Sequence, residues 1–207
     1  MVRMRYTLIT PTIRRPSLVK CCESVNTQTC SDWEHLVIVD GGRGEHSGLS
    51  IINRPPQDTP VDTVEAWKDI LRLIEHPQRK ILYCDRAHRN SGNTCRHDAW
   101  AFATGEYVYY LDDDNYLASP LSLEYLKAVT GEWALVPMSS SSDISHRYFA
   151  DPPGRGRTDT GMYVIRREPA RWPDIPNYEA DGLFAEELVR KGIPYQTLFH
   201  LPPIMVR

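Results

Sequence analysis

The chain has 207 residues, 41% of them hydrophobic, and a formal net charge of −3 at pH 7. That length fits one large domain or two small ones, and the charge argues against nucleic acid as a partner. The five cysteines form no C-x-x-C pair and are odd in number, which favours reduced thiols in a cytoplasmic protein over a disulfide framework or a zinc site. No apolar run reaches the roughly 18 residues of a transmembrane segment, and no signal peptide is expected at the start.

Predicted strands and helices alternate through the first 130 residues. The predicted strands are 5–10, 33–40, 80–84 and the Val- and Tyr-rich run 107–111. Predicted helices begin at Pro16–Ser17, at Asp62 with Glu65 as a capping box, at Asn90–Asn93 and at Ser119–Pro120. This alternation predicts an α/β fold with a mostly parallel, doubly wound sheet.

The later part mixes strands with long loops. Strands are predicted at 133–138, 160–166 and 195–199, and a helix at 181–191 that stops at Gly192. The polar segment 155–161 is either a flap over a ligand or a solvated loop.

Three adjacent carboxylates, Asp112 to Asp114, follow the Val- and Tyr-rich strand directly. Like charges so close repel one another unless a cation or strong donors neutralise them. Asp40 similarly ends the strand 33–40, and in a doubly wound sheet such strand ends converge on one ligand-binding crevice. Carboxylate oxygens at this edge suit Mg²⁺ or Mn²⁺, which also coordinates phosphates. The alternative is a solvated acidic turn.

No glycine loop is available to hold those phosphates. The sequence has no G-x-G-x-x-G after its first strand and no G-x-x-x-x-G-K-[ST] motif, the patterns that cradle phosphates in many nucleotide-binding proteins. We therefore expect a metal on the acidic triplet to neutralise the phosphates.

Four segments in this order resemble the GT-A nucleotide-sugar glycosyltransferases, closest in pattern to family 2: LITPTIRRP, VIVDGG, NSGNTCR and GEYVYYLDDDN. The resemblance runs from Thr7 to His200. It implies a single-domain GT-A fold, Rossmann-like, with a mixed, mostly parallel sheet flanked by helices. It also implies transfer of a sugar from a nucleotide-diphosphate sugar, UDP-linked, to a glycan or glycoprotein acceptor. Residues 1–115 would form the nucleotide-binding half and 116–207 the acceptor-binding half.

The resemblance also implies roles for individual residues. Asp40 would bind the nucleobase, Asp112 the ribose side and the metal, and Asp113 the sugar. Asp114 would ligate the metal directly, and His200 is a further candidate ligand whose alternative is a structural role. The other candidates for binding the nucleotide sugar are Thr10, Pro11, Thr12, Arg14, Asn90, Gly92 and Arg96. Arg14 and its neighbour Arg15 are alternatively plain surface charges.

Asp181 is the candidate catalytic base. An inverting transferase needs a carboxylate that takes the proton of the acceptor hydroxyl, and family 2 supplies it from a Glu-Asp pair that opens a late helix. Here Ala180 stands where the Glu would be, which leaves inversion and retention both open. We expect the helix N-terminus to lower the pKa of Asp181. Simple helix capping is the alternative role.

Two other functional classes remain open. A nucleotidyltransferase also uses sheet-edge carboxylates with Mg²⁺, although TPTIRRP is not the glycine- and lysine-rich loop such an enzyme usually carries. A non-catalytic nucleotide-sugar-binding module is the third class. The end of the sequence at PPIMVR is compatible with further domains carboxyl-terminal to this one.

Overall fold

The computed structural model describes residues 5–41, 49–50, 61–84, 88, 90–140, 147–148 and 151–207. The strands in these ranges are β1 Tyr6–Thr12, β2 Trp33–Val39, β3 Leu49–Ser50, β4 Arg79–Cys84, β5 Tyr107–Tyr110, β6 Tyr116–Leu117, β7 Trp133–Leu135, β8 Met138–Ser139, β9 Arg147–Tyr148, β10 Tyr163–Arg166, β11 Tyr195–Thr197 and β12 Met205–Val206. The α-helices are α1 Ser17–Asn26, α2 Val61–Leu73, α3 Asn93–Ala99, α4 Ser122–Tyr125 and α5 Ala180–Arg190. No described helix is long and apolar enough to cross a bilayer.

An eight-stranded mixed sheet organises the fold, in the order β11-β7-β10-β5-β1-β2-β4-β3. Strands β5, β1, β2 and β4 at its centre are parallel, whereas β10 runs antiparallel to both of its neighbours. Strands β6, β12, β8 and β9 form a small second sheet. The predicted α/β class with a mostly parallel sheet is therefore confirmed.

Both faces of the large sheet are covered, as a parallel sheet requires. Alternate residues of β2 point to opposite faces, and they belong to two different apolar clusters. Val37 and Val39 pack with Leu18 of α1 and Trp67 of α2. The other face belongs to the larger cluster, which includes residues of α3 and α5. Helices on both faces leave the strand ends as the open edge of the sheet.

Strand β1 continues two residues beyond its predicted end, through Pro11. Proline has no N–H to give to a sheet ladder, so an interior proline normally ends a strand. The carbonyl of Ile9 accepts the N–H of Leu111 at 3.0 Å, which shows that residues 9 and 11 face the β5 side. The position of Pro11, which has no N–H to donate, thus coincides with the end of the β1–β5 ladder at the pair Ile9 and Tyr110.

Three other predicted boundaries are corrected by local turns. The helix expected at Ser119–Pro120 begins at Ser122, because the Ser119 hydroxyl accepts the N–H of Leu121 (3.1 Å) in a preceding turn. The strand expected at 133–138 is divided between β7 and β8. The strand expected at 160–166 begins only at Tyr163, because a 3₁₀ turn capped by Asp159 precedes it.

Strand β12 was not predicted. Helix α2 begins at Val61. The side chain of Asp62, which was predicted to cap this helix, lies outside the described residues. Most of the segment between β2 and α2 also lies outside the described residues.

Gly105 allows the chain to enter β5 directly beside β1. Its N–H donates to the Thr7 hydroxyl at 2.8 Å. A Cβ at this position would lie 2.6 Å from the backbone nitrogen of Thr7 and 2.7 Å from the carbonyl carbon of Tyr6. The approach of these two strands sets where the acidic triplet after β5 is presented.

We predict that Gly105→Ala lowers the free energy of unfolding by about 1–3 kcal/mol, the usual cost of overpacking a buried site. Urea denaturation followed by circular dichroism measures it. Gly131→Ala is the matched control, because its Cβ would meet only the Gln196 side chain, at 3.3 Å. Equal stability of the Gly105 and Gly131 variants would contradict the packing argument.

Candidate functional site

A cavity of about 610 Å³ opens at the carboxyl ends of the parallel strands. Its walls are the segments that follow β1, β2, β4 and β5, together with the segment before β10 and the start of α5. Nine of the predicted site residues line it: Pro11, Thr12, Asp40, Gly92, Arg96, Asp112, Asp113, Asp114 and Asp181. The structure thus brings together groups that are up to 170 positions apart in the sequence.

Four other predicted site residues are not among the lining residues: Thr10, Arg14, Asn90 and His200. Thr10 is buried, and its hydroxyl hydrogen-bonds to Nε2 of His35 at 2.9 Å. The side chain of Asn90 donates to a hydroxyl in the first turn of α3 at 2.7 Å. His200 is exposed in a turn after β11. His200 does not line this cavity, and its metal-ligand role stays a prediction.

The acidic triplet forms a tight turn, closed by the Asn115 N–H donating to the Asp112 carbonyl at 3.0 Å. Asp113 is buried and accepts the hydroxyl of Thr12 at 2.7 Å and the Arg15 guanidinium at 3.2 Å. Burial raises the pKa of Asp113, and the neighbouring carboxylates act in the same direction. Asp114 is 56% exposed and accepts the same guanidinium at 2.9 Å. The three carboxylates thus differ in burial and in partners.

The remaining carboxylate of the triplet, that of Asp112, forms a short ion pair with Nη2 of Arg96. The guanidinium is buried, donates to the Ser91 carbonyl at 2.7 Å and lies 5.3 Å from the ring centroid of Trp172. Its Nε has no hydrogen-bond partner among the described residues. A buried arginine that is fixed on several sides positions its carboxylate partner.

Asp40 lies at the end of β2, where it is buried and accepts the backbone N–H of His88 at 2.8 Å. Ligand atoms of Asp40, Cys84 and His88 lie within 4.8 Å of one another, a spacing compatible with a metal ion. A donor set of this mixed kind suits Zn²⁺ better than Mg²⁺ or Mn²⁺. This group of ligand atoms therefore differs in metal preference from the acidic triplet, whose ligand atoms are all oxygens.

Asp181 and Asp159 form a second acidic region in the cavity wall. Asp181 lies inside the first turn of α5, whose N-cap position is Glu179, so Asp181 is not the N-cap. Its Oδ1 accepts the N–H of Gly182 at 2.7 Å. Burial, with Asp159 and Asp112 nearby, raises the pKa of Asp181 to about 6. The expected lowering by the helix N-terminus is wrong, because desolvation of the carboxylate outweighs the favourable backbone interaction.

Sequence reasoning missed several lining residues, among them Asp159, Trp172, Tyr178 and Arg207. Arg207, after β12, donates to Asp159 at 2.7 Å. Tyr178 is 78% exposed and lies on a loop that Asn93 anchors by donating to the Asn177 carbonyl at 2.9 Å. Asp159 falls within the polar segment 155–161, which was a usable signal. Nothing in the local sequence singles out the others.

We predict that metal-free Asp181→Asn protein is more stable than wild type at pH 8 and equally stable at pH 4. The folded-state pKa of Asp181, about 6, lies above its ordinary value of 3.8. Ionising this buried group therefore costs folding free energy, and wild-type stability falls as the pH rises through that window. Thermal unfolding in EDTA at a series of pH values measures the difference.

Asp69→Asn on α2 is the control for this pH dependence, since Asp69 is 68% exposed. It should change the melting temperature little at any pH. A stability difference for Asp181→Asn that is the same at pH 4 and pH 8 would contradict the raised pKa.

Three solved structures share this arrangement of elements. A crystal structure of S. aureus TarS 1-349 matches 98% of this chain and 60% of its own, with a TM-score of 0.65 and 15% identity. The same protein in complex with UDP-GlcNAc matches 99% of this chain and 58% of its own, with a TM-score of 0.64 and 16% identity. The mannosyltransferase PcManGT from Pyrobaculum calidifontis, in complex with GDP-Man and Mn²⁺, matches 99% of this chain and 57% of its own. The TM-score is 0.62 and the identity 16%.

At such low identity these matches establish the fold alone, and they confirm the predicted GT-A fold class. The chain spans about 60% of the length of the first of these structures. No protein-family model matches the sequence. No curated protein matches it either.

Proposed function

We propose that this chain is a metal-dependent glycosyltransferase domain that moves a sugar from a nucleotide-diphosphate sugar, UDP-linked, to a glycan or glycoprotein acceptor. The observation that carries the proposal is the acidic turn after β5, which faces a cavity together with Asp40 and Asp181. Support comes from proteins of the same fold that are seen with UDP-GlcNAc and with GDP-Man and Mn²⁺.

The acidic triplet fits a hard divalent cation. In the described part of the chain, Asp112 contacts Arg96 through Oδ1 and Asp114 contacts Arg15 through Oδ2, which leaves the other oxygen of each for a cation. The buried Oδ1 of Asn115 has no hydrogen-bond partner among the described residues. Oxygen donors of this kind suit Mn²⁺ or Mg²⁺. The bound cation would neutralise charge on the diphosphate leaving group.

The nucleotide would lie between the segment after β1 and the start of α3. Asp40 is proposed to accept a nucleobase N–H, because a buried carboxylate needs such donors. Pro11, Thr12 and Gly92 would form the floor. Gly92 has φ +75°, and a Cβ there would lie 2.8 Å from the Pro11 ring, so a glycine is required at this contact. Asp113, hydrogen-bonded to Thr12, would orient the sugar.

Asp181 is proposed as the base that accepts the acceptor hydroxyl proton as the new glycosidic bond forms. The nucleoside diphosphate then leaves with the electrons of the broken bond. A pKa raised to about 6 keeps the carboxylate mostly ionised at neutral pH while making it a stronger proton acceptor, as general bases require. This role corresponds to inversion at the anomeric carbon. Retention would need no base at this position.

The same proposal covers the roles of the two halves of the chain, the cellular compartment and the family. Residues 1–115 would bind the nucleotide, and residues 116–207 the acceptor. The enzyme would work in the cytoplasm, and its free, buried cysteines suit a reducing compartment. Family 2 membership is proposed on the sequence motifs, and likeness over the whole chain suggests the amino-terminal domain of a chlorovirus enzyme that glycosylates a capsid protein.

We predict that Asp114→Asn weakens Mn²⁺ binding and Mn²⁺-dependent UDP binding by at least the roughly tenfold that loss of an outer-shell metal partner costs. The substitution removes a ligand charge and keeps the size of the side chain. Isothermal titration calorimetry with UDP, in Mn²⁺ and in EDTA, measures both effects. Asp69→Asn, on the exposed side of α2, is the control. UDP affinity that is equal in EDTA and in Mn²⁺ would rule out the metal role.

We predict that Asp181→Asn retains UDP binding and loses about 10²–10⁴-fold in turnover, the usual range for a missing general base. The assay follows UDP release in the presence of an acceptor across a panel of UDP-sugars, and NMR of the product anomer reports inversion or retention. Turnover near the wild-type rate would remove Asp181 from the mechanism. Pyrophosphate release from a nucleoside triphosphate would instead indicate a nucleotidyltransferase.

A further inference from the structure

Arg15 occupies the mouth of the proposed metal site. One of its guanidinium nitrogens, Nη1, lies 3.2 Å from Oδ1 of Asp113 and 2.9 Å from Oδ2 of Asp114. The side chain is 47% exposed, in contrast to the buried Arg96 on the third carboxylate. One half-exposed guanidinium therefore bridges two of the three carboxylates that a divalent ion would need.

The loop after β1 is shaped to hold Arg15 in this place. Arg14 has φ +71°, a left-handed conformation that is unfavourable for a residue with a side chain. The Arg14 N–H donates to the Thr12 hydroxyl at 2.9 Å, and that hydroxyl donates to Oδ2 of Asp113 at 2.7 Å. The same carboxylate thus anchors the strained turn and receives the guanidinium that the turn delivers.

The charges explain why a cation is held here. Asp113 is buried and lies between two further carboxylates in the sequence, and adjacent like charges repel one another, so an unneutralised triplet is unfavourable. Arg96 neutralises Asp112 from inside the protein, whereas Arg15 neutralises the other two carboxylates from the solvent side. A divalent cation that binds the other oxygen of Asp114 therefore shares one carboxylate with Arg15, and the two cations compete for its negative charge.

We propose that Arg15 is an internal counter-ion that competes with the divalent cation for Asp113 and Asp114, and that a diphosphate relieves this competition. A guanidinium pairs well with phosphate oxygens through its planar array of donors. When a diphosphate occupies the cavity, Arg15 moves from the carboxylates to the phosphate oxygens. The cation then binds the carboxylate oxygens that Arg15 has released. Metal and diphosphate then bind cooperatively. The inference relies on the proposed function for the identity of the diphosphate, but its competition step concerns the metal alone.

The first experiment titrates Mn²⁺ alone into nucleotide-free protein and follows the electron paramagnetic resonance signal of free Mn²⁺. Arg15→Gln should bind Mn²⁺ about fivefold more tightly than wild type, the upper end of what a partly exposed ion pair contributes. Arg15→Lys, which keeps the charge, should stay within about twofold of wild type.

Arg207→Gln is the matched control, since Arg207 also lines the cavity but pairs with Asp159. It removes the same charge at a different carboxylate and so measures the general electrostatic effect on Mn²⁺ affinity. The gain in Mn²⁺ affinity caused by Arg15→Gln must clearly exceed the gain caused by Arg207→Gln. Circular dichroism confirms that each variant is folded.

The second experiment repeats the Mn²⁺ titration with UDP and with UMP. In wild type, UDP should tighten Mn²⁺ binding more than UMP does, and Arg15→Gln should lose most of that difference. Mn²⁺ affinity of Arg15→Gln that is equal to or weaker than that of wild type overturns the inference and leaves the metal site intact. Absence of Mn²⁺ binding by every protein, with and without UDP, overturns the metal role in the proposed function and this inference together.

Discussion

The mutual repulsion of Asp112, Asp113 and Asp114 is the constraint around which the site is built. Adjacent carboxylates raise one another's pKa unless cations or donors compensate. The chain supplies Arg96 from α3 on one side and the segment after β1 on the other. Arg96 belongs to α3, the helix before β5, and Thr12 and Arg15 lie at and after the end of β1, which runs parallel beside β5. The parallel strand order therefore brings these groups to the triplet.

A second buried polar network lies beneath the β1 side of the cavity. The Arg79 guanidinium is buried and donates through Nε to Nδ1 of His35 at 3.0 Å. Because an arginine can only donate, Nδ1 must be the acceptor and the imidazole proton must sit on Nε2. That nitrogen then donates to the Thr10 hydroxyl at 2.9 Å. The pKa of His35 is lowered by burial, which keeps the ring neutral and this direction of donation fixed.

This network explains why the Thr10 side chain does not line the cavity, although Thr10 belongs to the motif that resembles a nucleotide loop. Its side chain faces the core of the sheet, and those of Pro11 and Thr12 reach the cavity. In a strand, successive side chains point to opposite faces, but the last residues of β1 also pass beyond the end of β5. A sequence motif marks the segment, whereas the end of the neighbouring strand decides which of its residues are accessible.

The sequence predicted most of the regular elements and the cavity wall that follows the parallel strands, because both depend on local patterns. Strand β2 ends in the apolar run LVIV directly before Asp40, and Leu111 alone separates β5 from the acidic triplet. Boundaries were less predictable where a side chain diverts the backbone, as Ser119 does before α4. His200 was assigned by resemblance alone, and its exposed position depends on a turn that no local pattern specifies.

The opposite wall of the cavity could not be predicted for a topological reason. If every strand were parallel, residues that precede a strand would lie at the edge of the sheet away from the carboxylates. Strand β10 is instead antiparallel to β5, with Val164 opposite Tyr109 and Arg166 opposite Tyr107. Its beginning therefore lies at the end of β5, and Asp159, just before it, arrives beside the acidic turn.

Arg207 reaches the cavity by a related route. Strand β12 pairs antiparallel with β6, with Val206 opposite Tyr116, and β6 begins directly after the acidic turn. The residue that follows Val206 is thereby placed next to the turn and pairs with Asp159 at 2.7 Å. Two strand reversals, neither visible in local periodicity, thus close the cavity with an ion pair on the wall opposite Arg15.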